Sequence, residues 1–290
     1  MITENGRQNR DEEILNHKPF LIIADYLTRN GIAVLRYDDR GVAQSTGDFK
    51  TATTADFASD VENAITYLKT RKEINAKKIG LIGHSEGAII APMIAAKSKD
   101  VDFIVLLAGF GMSGDKLMLL QKEKIEQAMG IDEKQVTKGQ KIFKGAYDII
   151  LESDTNEVNL KNKINIYFKQ GFGGKLADEQ VSAITNQITT PWMIYFLKYN
   201  PIPTLEKVKC PVLVFDGEKD LQVPPENLIE IKKALEKGGN RNVTTKLFPN
   251  LNHLFQDSKT GLPGEYSEIE ETFSPAALDE MSKWIKKQVD

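Results

Sequence analysis

Apolar residues along this chain follow two rhythms. Short apolar runs at residues 32–37, 78–82, 103–108 and 211–215, with only Arg36 and the opening Lys78 charged, read as strands buried on both faces. Between them, apolar residues recur at helical spacing. Phe20, Ile23, Ala24 and Leu27 form one stripe over residues 19–30, opened by Pro19 and stopped by Asn30-Gly31. Phe57, Val61, Ala64, Ile65 and Leu68 form a second, with Thr53 or Thr54 as its cap. A further helix is expected from residue 88 to 96, a strand over 242–248, and a closing helix over 275–288 with Leu278, Met281, Trp284 and Ile285 inward. Strand and helix alternate, which predicts an α/β fold: a mostly parallel sheet with helices on both faces.

The alternation stops at Gly109. Residues 114–197 carry only helical patterning, at 117–129, 134–151, 164–168, 176–188 and 192–197, and strands resume at Val212. A helical block between two core strands is expected to be a lid, because α/β sheets bind ligands at the C-terminal ends of their strands. The expected division is a core of residues 1–112 and 206–290 with a lid of 113–205. Trp192, Tyr195 and Phe196 are candidate pocket walls.

The chemistry centres on Gly83-His84-Ser85-Glu86-Gly87. An apolar run precedes it and small apolar residues follow, so Ser85 sits on a strand-to-helix turn with its hydroxyl exposed above the sheet. A serine needs a base within hydrogen-bond reach, oriented in turn by a third group. The chain has three histidines. His84 lies inside the turn and should point away from Ser85, and His17 precedes the first helix. His253 follows a strand-like run and is the expected base. Asp216 and Asp220 both follow the 211–215 strand, with Glu218 a more distant candidate. Asp220 is favoured because Leu221-Gln222-Val223-Pro224 would hold it inward, while Asp216 fixes the turn.

With Tyr37-Asp38-Asp39-Arg40-Gly41, Gly217-x-x-Asp220-x-x-Val223-Pro224, Asn252-His253 and Phe273-Ser274-Pro275, these motifs span nearly the whole chain. Together they resemble the α/β-hydrolases, in particular a group of bacterial carboxylesterases related to serine aminopeptidases. The resemblance implies Ser85 as nucleophile, Asp220 as acid, His253 as base and the backbone N–H of Glu86 as one oxyanion donor, its side-chain identity being secondary. Gly6-Arg7-Gln8-Asn9-Arg10-Asp11-Glu12 is similar to the end of the family's Gly-rich turn, which implies Gln8 for the second donor. Ala43 departs from the glycine common in the 41–45 loop.

In that family a buried strand runs into this turn, between the 31–37 and 78–82 strands. Here only Met1-Ile2-Thr3-Glu4-Asn5 precede the turn, which are too few and too polar for a strand. About five unmade backbone pairs at roughly 1–3 kcal/mol each would rival a domain's stability of roughly 5–15 kcal/mol. The expectation is therefore a shortened form of a longer protein, or another segment closing the gap.

Composition narrows the partners. With 41% apolar and 27% charged residues and a net charge of −3, nucleic acid is not an expected partner. No apolar run approaches a membrane span, and no leader pattern opens the chain. A cytoplasmic location is expected, or export if a lost N-terminus carried a signal. The single cysteine, Cys210, excludes an internal disulfide and a cysteine-built zinc site. Gly109-Phe110-Gly111-Met112-Ser113-Gly114 mimics a dinucleotide fingerprint but lacks the second strand and acidic residue that motif requires. The reading is a serine hydrolase acting on a small-molecule acyl ester through an acyl-enzyme, with no cofactor or metal. Its rivals are a thioesterase, an aminopeptidase using acids such as Asp178 and Glu179, and a catalytically silent hydrolase-fold protein.

Overall fold

The computed structural model describes residues 1–154 and 159–289; within the expected helical block, 155–158 lie outside the described residues. Four strands, β1 (Gly80–His84), β2 (Phe103–Leu107), β3 (Val212–Gly217) and β4 (Val243–Phe248), form a parallel sheet in sequence order. The register runs Leu106↔Val214 and Val214↔Thr245 through the centre. Alternate residues of the two inner strands enter different cores. Ile104, Leu106, Val212 and Val214 pack with Val61 and Ile65 of α2 (Thr54–Lys69), Ile90 and Ile94 of α3 (Gly87–Ala95), and Ile231 of α10 (Glu226–Lys237). Phe103, Val105, Leu213 and Phe215 pack on the other face with Phe20 and Ile23 of α1 (Pro19–Arg29) and Met281 and Ile285 of α11 (Pro275–Val289). The sheet is covered on both sides, as its continuous apolar runs require.

Between β2 and β3 the chain builds α4 (Gly114–Ala128), α5 (Glu133–Glu152), α6 (Leu160–Phe172), α7 (Asp178–Ile188), α8 (Pro191–Lys198) and the single turn α9 (Ile202–Leu205). Its apolar stripes meet in a core of their own around Ile150, Ile164, Phe168 and Leu197, which Ile89, Phe110 and Val223 of the main body join. Helix α6 starts earlier than its apolar residues suggested and ends on Gly173 in the left-handed conformation, φ 59°. The glycines of the apparent dinucleotide fingerprint are packing residues. A Cβ on Gly111 would lie 2.6 Å from the Ile231 nitrogen, and one on Gly114 1.9 Å from the Phe196 carbonyl oxygen. Among the described residues no helix is long and apolar enough to cross a membrane.

The N-terminal region differs from expectation in one way. Residues 32–37 form no ladder, since an extended segment becomes a strand only through a partner. The segment Met1–Thr3, read above as too short and polar for a strand, forms none but reaches the sheet through a single bridge at Ile2. The Ile2 N–H donates to the Ile82 carbonyl (2.8 Å), the His84 N–H donates to the Ile2 carbonyl (3.0 Å), and the Met1 ammonium donates to the Leu35 carbonyl (2.8 Å). Ile2 joins the same apolar core as Ile90, and Thr3 and Glu4 beside it are buried as well. Alongside these residues a cavity of about 330 Å³ separates residues 31–35 from β1, walled by Val61 and Ile65 on one side and by Phe103 and Ile285 on the other. Burial in this seam pulls the Met1 amine down to about 5.

Candidate active site

The β1–α3 turn is sterically forced. A Cβ on Gly83 would lie 2.0 Å from the Gly87 carbonyl oxygen, and one on Gly87 2.2 Å from that of Ile2, so only glycine fits at either position. Ser85 between them takes φ 50°, a strained conformation for a residue with a side chain. Its N–H donates to the Leu107 carbonyl (2.9 Å), which ties the turn to the next strand. Ser85 opens into a cavity of about 420 Å³ that Asn5, Phe110, Met118, Trp192 and Gln222 also line.

His253 and Asp220 meet at 2.7 Å, His253 Nδ1 to Asp220 Oδ2, and both are buried. The other Asp220 oxygen accepts the backbone N–H groups of Gln222 and Val223, each at 2.8 Å. Asp216 instead turns back onto the Gly217 N–H (2.8 Å), and burial and then the Asp220 charge push its carboxyl well up. Glu218 accepts from the Asn250 N–H at the surface. His17 is held by Thr272 and the Tyr266 carbonyl, away from the cavity. An imidazole whose Nδ1–H is held by a carboxylate keeps Nε2 bare and basic. Among the described residues no hydrogen bond joins that Nε2 to Ser85 Oγ; it faces Glu4 Oε2 at 3.8 Å.

Among the described residues the Glu86 N–H, at the start of α3, has no acceptor. Gln8 is a different matter. Its N–H donates to the Gly6 carbonyl (3.1 Å) and Asp39 (3.3 Å), and its side-chain amide donates to Glu4 (3.0 Å), so its donors are occupied. The residue of that turn beside Ser85 is Asn5, and its N–H has no acceptor among the described residues. The displacement has a cause. Asp38 grips the Arg10 guanidinium (2.7 and 3.0 Å) and N–H (2.8 Å), and Asp39 accepts from Thr3 Oγ1 (3.0 Å). These bonds anchor the end of the turn on the 37–41 loop, and the Arg10 guanidinium holds the Asp38 carboxyl far below its usual range.

Three further residues were not marked by sequence reasoning. Glu4 and Glu12 are buried, and Glu12 accepts the Glu4 N–H at 2.7 Å. His84, read as a bystander, donates from Nε2 to the His253 carbonyl (2.9 Å) while its Nδ1 lies 3.2 Å from Glu12. Burial alone would lower this imidazole, but the Glu12 charge prevails and raises it to about 9. The signal available was the pairing of the elbow histidine with the acid closing residues 8–12.

The Glu86 side chain is not incidental. Its Oε1 accepts from Thr54 Oγ1 (2.6 Å) and from Trp192 Nε1 (2.7 Å), joining the helical insertion to the residue after Ser85. Burial raises this carboxyl to about 7 against the donors' opposing effect. A raised folded-state value means its contribution to stability is complete below about 4.5 and is lost as pH rises through about 7. Trp192→Phe removes one donor and is expected to cost about 1–3 kcal/mol, with faster tryptic cleavage inside residues 114–205 and a steeper stability loss above pH 7. Unchanged cleavage would show that this bond does not hold the insertion. Trp192 and Phe196 line the cavity, but Tyr195 stacks on Tyr199 (6.1 Å) and does not. Asp178 pairs with Lys169 (2.9 Å), and neither it nor Glu179 lines the cavity.

A parallel sheet between two helical layers, with a strained serine at the β1–α3 turn and a buried carboxylate–imidazole pair nearby, defines an α/β hydrolase. The chain has the α/β-hydrolase fold. The family model described as "Serine aminopeptidase, S33" matches residues 19–140, and that of the prolyl oligopeptidase family matches 179–274. The chain is similar to the esterase EstD of Thermotoga maritima, 24% identical over 290 residues, which are 99% of this chain and 61% of that protein. It thus spans less than two thirds of that relative. Solved structures with the same fold include an esterase of Pyrococcus furiosus (TM-score 0.56, 15% identity, 100% of this chain and 81% of that one). A monoacylglycerol lipase of Paleococcus ferrophilus also shares it (TM-score 0.56, 13% identity, 99% and 93%).

Proposed function

We propose that this protein is a serine hydrolase that cleaves carboxylic esters of small molecules, with the 113–205 segment as a lid over its pocket. The reading is carried by Ser85, held in a strained backbone turn at the mouth of a cavity, and by the Asp220–His253 pair, whose His253 carbonyl bonds the adjacent His84. Substrate binding must bring Ser85 Oγ and His253 Nε2 into contact, since catalytic hydrogen bonds often close only in the complex. His253 then takes the hydroxyl proton as Ser85 Oγ attacks the acyl carbon, and the N–H groups of Glu86 and Asn5 hold the oxyanion. Collapse expels the alcohol, which receives the proton from His253. Water, deprotonated by the same imidazole, releases the acid and restores Ser85.

The cavity wall favours an apolar acyl group: Phe110, Leu117, Met118, Met193 and Phe196 line it. An aminopeptidase needs a free acidic group for the substrate's amine, yet Asp178 and Glu179 lie elsewhere and Glu86 already accepts two hydrogen bonds. The similar proteins named as esterases and a lipase support the same choice.

The test is a panel of short and medium acyl p-nitrophenyl esters, run beside covalent labelling with a fluorophosphonate. The expected result is hydrolysis and labelling that Ser85→Ala abolishes. Equal rates for both proteins, or labelling that survives the substitution, would sink the proposal.

A further inference from the structure

Two imidazoles and a carboxylate converge beneath Ser85 in an arrangement that the proposed ester chemistry does not need. Glu4, His84 and His253 are all buried, and their donor atoms lie within 4.8 Å of one another. Each ring is oriented from its far side. His253 donates Nδ1–H to Asp220 (2.7 Å), and His84 donates Nε2–H to the His253 carbonyl (2.9 Å). His253 therefore keeps a lone pair on Nε2, while His84 Nδ1, 3.2 Å from Glu12 Oε1, would release its proton on taking a metal. One Glu4 oxygen is fixed by the Gln8 amide (3.0 Å) and the other faces His253. A metal-binding histidine characteristically gives its second N–H to a carboxylate or a backbone carbonyl, and here both outer-shell forms occur side by side.

The independent sign is an unmet need. Glu12 Oε2 is buried without a hydrogen-bond partner, and His84 Nδ1, which faces the other Glu12 oxygen at 3.2 Å, makes no well-aligned hydrogen bond to it. Water-sized gaps or a neutral donor could satisfy one such atom, whereas a cation satisfies both and balances Glu4, Glu12 and Asp220 together. Two nitrogens with carboxylate oxygens select zinc and its first-row neighbours over magnesium or calcium, which take oxygen ligands. Ligands at about 2.0–2.1 Å from zinc stand roughly 3.4 Å apart, so these side chains, within 4.8 Å of one another, must draw together on the ion.

We propose that Glu4, His84 and His253, with Glu12 in reach, form a binding site for a divalent transition-metal ion that captures His253 Nε2 and so switches hydrolysis off. The binding half stands on these side chains alone; the inhibitory half rests on the ester-hydrolase reading. Nothing is oxidised or reduced: the metal takes the lone pair that would otherwise accept the serine proton.

The experiment titrates the whole protein with Co2+ and follows the visible absorption this ion acquires at nitrogen–oxygen sites, then adds Zn2+ in competition. Wild type and Ser85→Ala are expected to bind one Co2+ alike and to release it to Zn2+. Glu4→Gln should weaken binding by more than the roughly 10–100-fold typical of losing an outer-shell partner. Zn2+ should suppress wild-type hydrolysis in step with Co2+ displacement, EDTA should restore it, and Mg2+ should do nothing. Absence of the Co2+ spectrum in wild type overturns the proposal whatever the variant does, as does equal affinity in Glu4→Gln with a native circular-dichroism spectrum. If Co2+ binds as described but no ester is hydrolysed, the site stands and the hydrolase reading falls. Ser85-dependent hydrolysis without Co2+ binding is the reverse.

Discussion

Asp220→Asn should lower kcat by about 10⁴-fold while leaving the fold intact, the size seen when a triad aspartate becomes an amide. The hydrogen bonds around this side chain dictate which way the amide points. Asp220 Oδ1 accepts two backbone N–H groups, from Gln222 and Val223. An asparagine must keep its oxygen there and turn its NH2 toward His253 Nδ1. That nitrogen then has to accept, the imidazole proton moves to Nε2, and the ring can no longer take a proton from Ser85. Single-turnover hydrolysis with a p-nitrophenyl ester measures the step directly. A loss under tenfold would mean that His253 draws its orientation from Glu4 or the loop carbonyls and not from Asp220.

Glu12→Ala is expected to destabilise the protein by about 3–5 kcal/mol, the cost of leaving a buried charge without its partner. Glu12 accepts the Glu4 N–H and faces His84 Nδ1 inside the protein. Without it, His84 must either stay charged and unpaired or give up its proton. The Glu12 interaction holds His84 up at about 9, so its contribution is complete below about 6.5 and fades as pH rises through about 9. Urea midpoints of wild type and Glu12→Ala should therefore differ most at neutral and mildly acid pH and converge in alkali. A constant gap at all pH values would assign the effect to packing.

The sheet and its helical covering could be read from the sequence because strand runs and helical stripes are local patterns. β2, for example, is apolar at every position, and β3 at every one ahead of Asp216. The carboxylate on His253 could also be chosen in advance, since the residues after Asp220 constrain its turn. What could not be read was long-range. The 32–37 run has strand composition, but a ladder needs a partner that composition does not reveal. The Gln8 N–H is claimed by Asp39, distant in the chain, which no local pattern reveals. Glu4 and the Glu86–Trp192 bond escaped notice for the same reason: an isolated acid looks like any solvated acid until its neighbours are known.

The strand that delivers Ser85 hangs unevenly. β1 has a full ladder with β2 on one side, but on the other only the Ile2 bridge and the Met1 ammonium that docks on Leu35. Beside that bridge the cavity of about 330 Å³ leaves β1 and residues 31–35 unjoined along most of their length. Trimming Ile2 is consequently no neutral change: it slackens the suspension of the Ser85 turn, whereas a change at the far end of α11 leaves it alone.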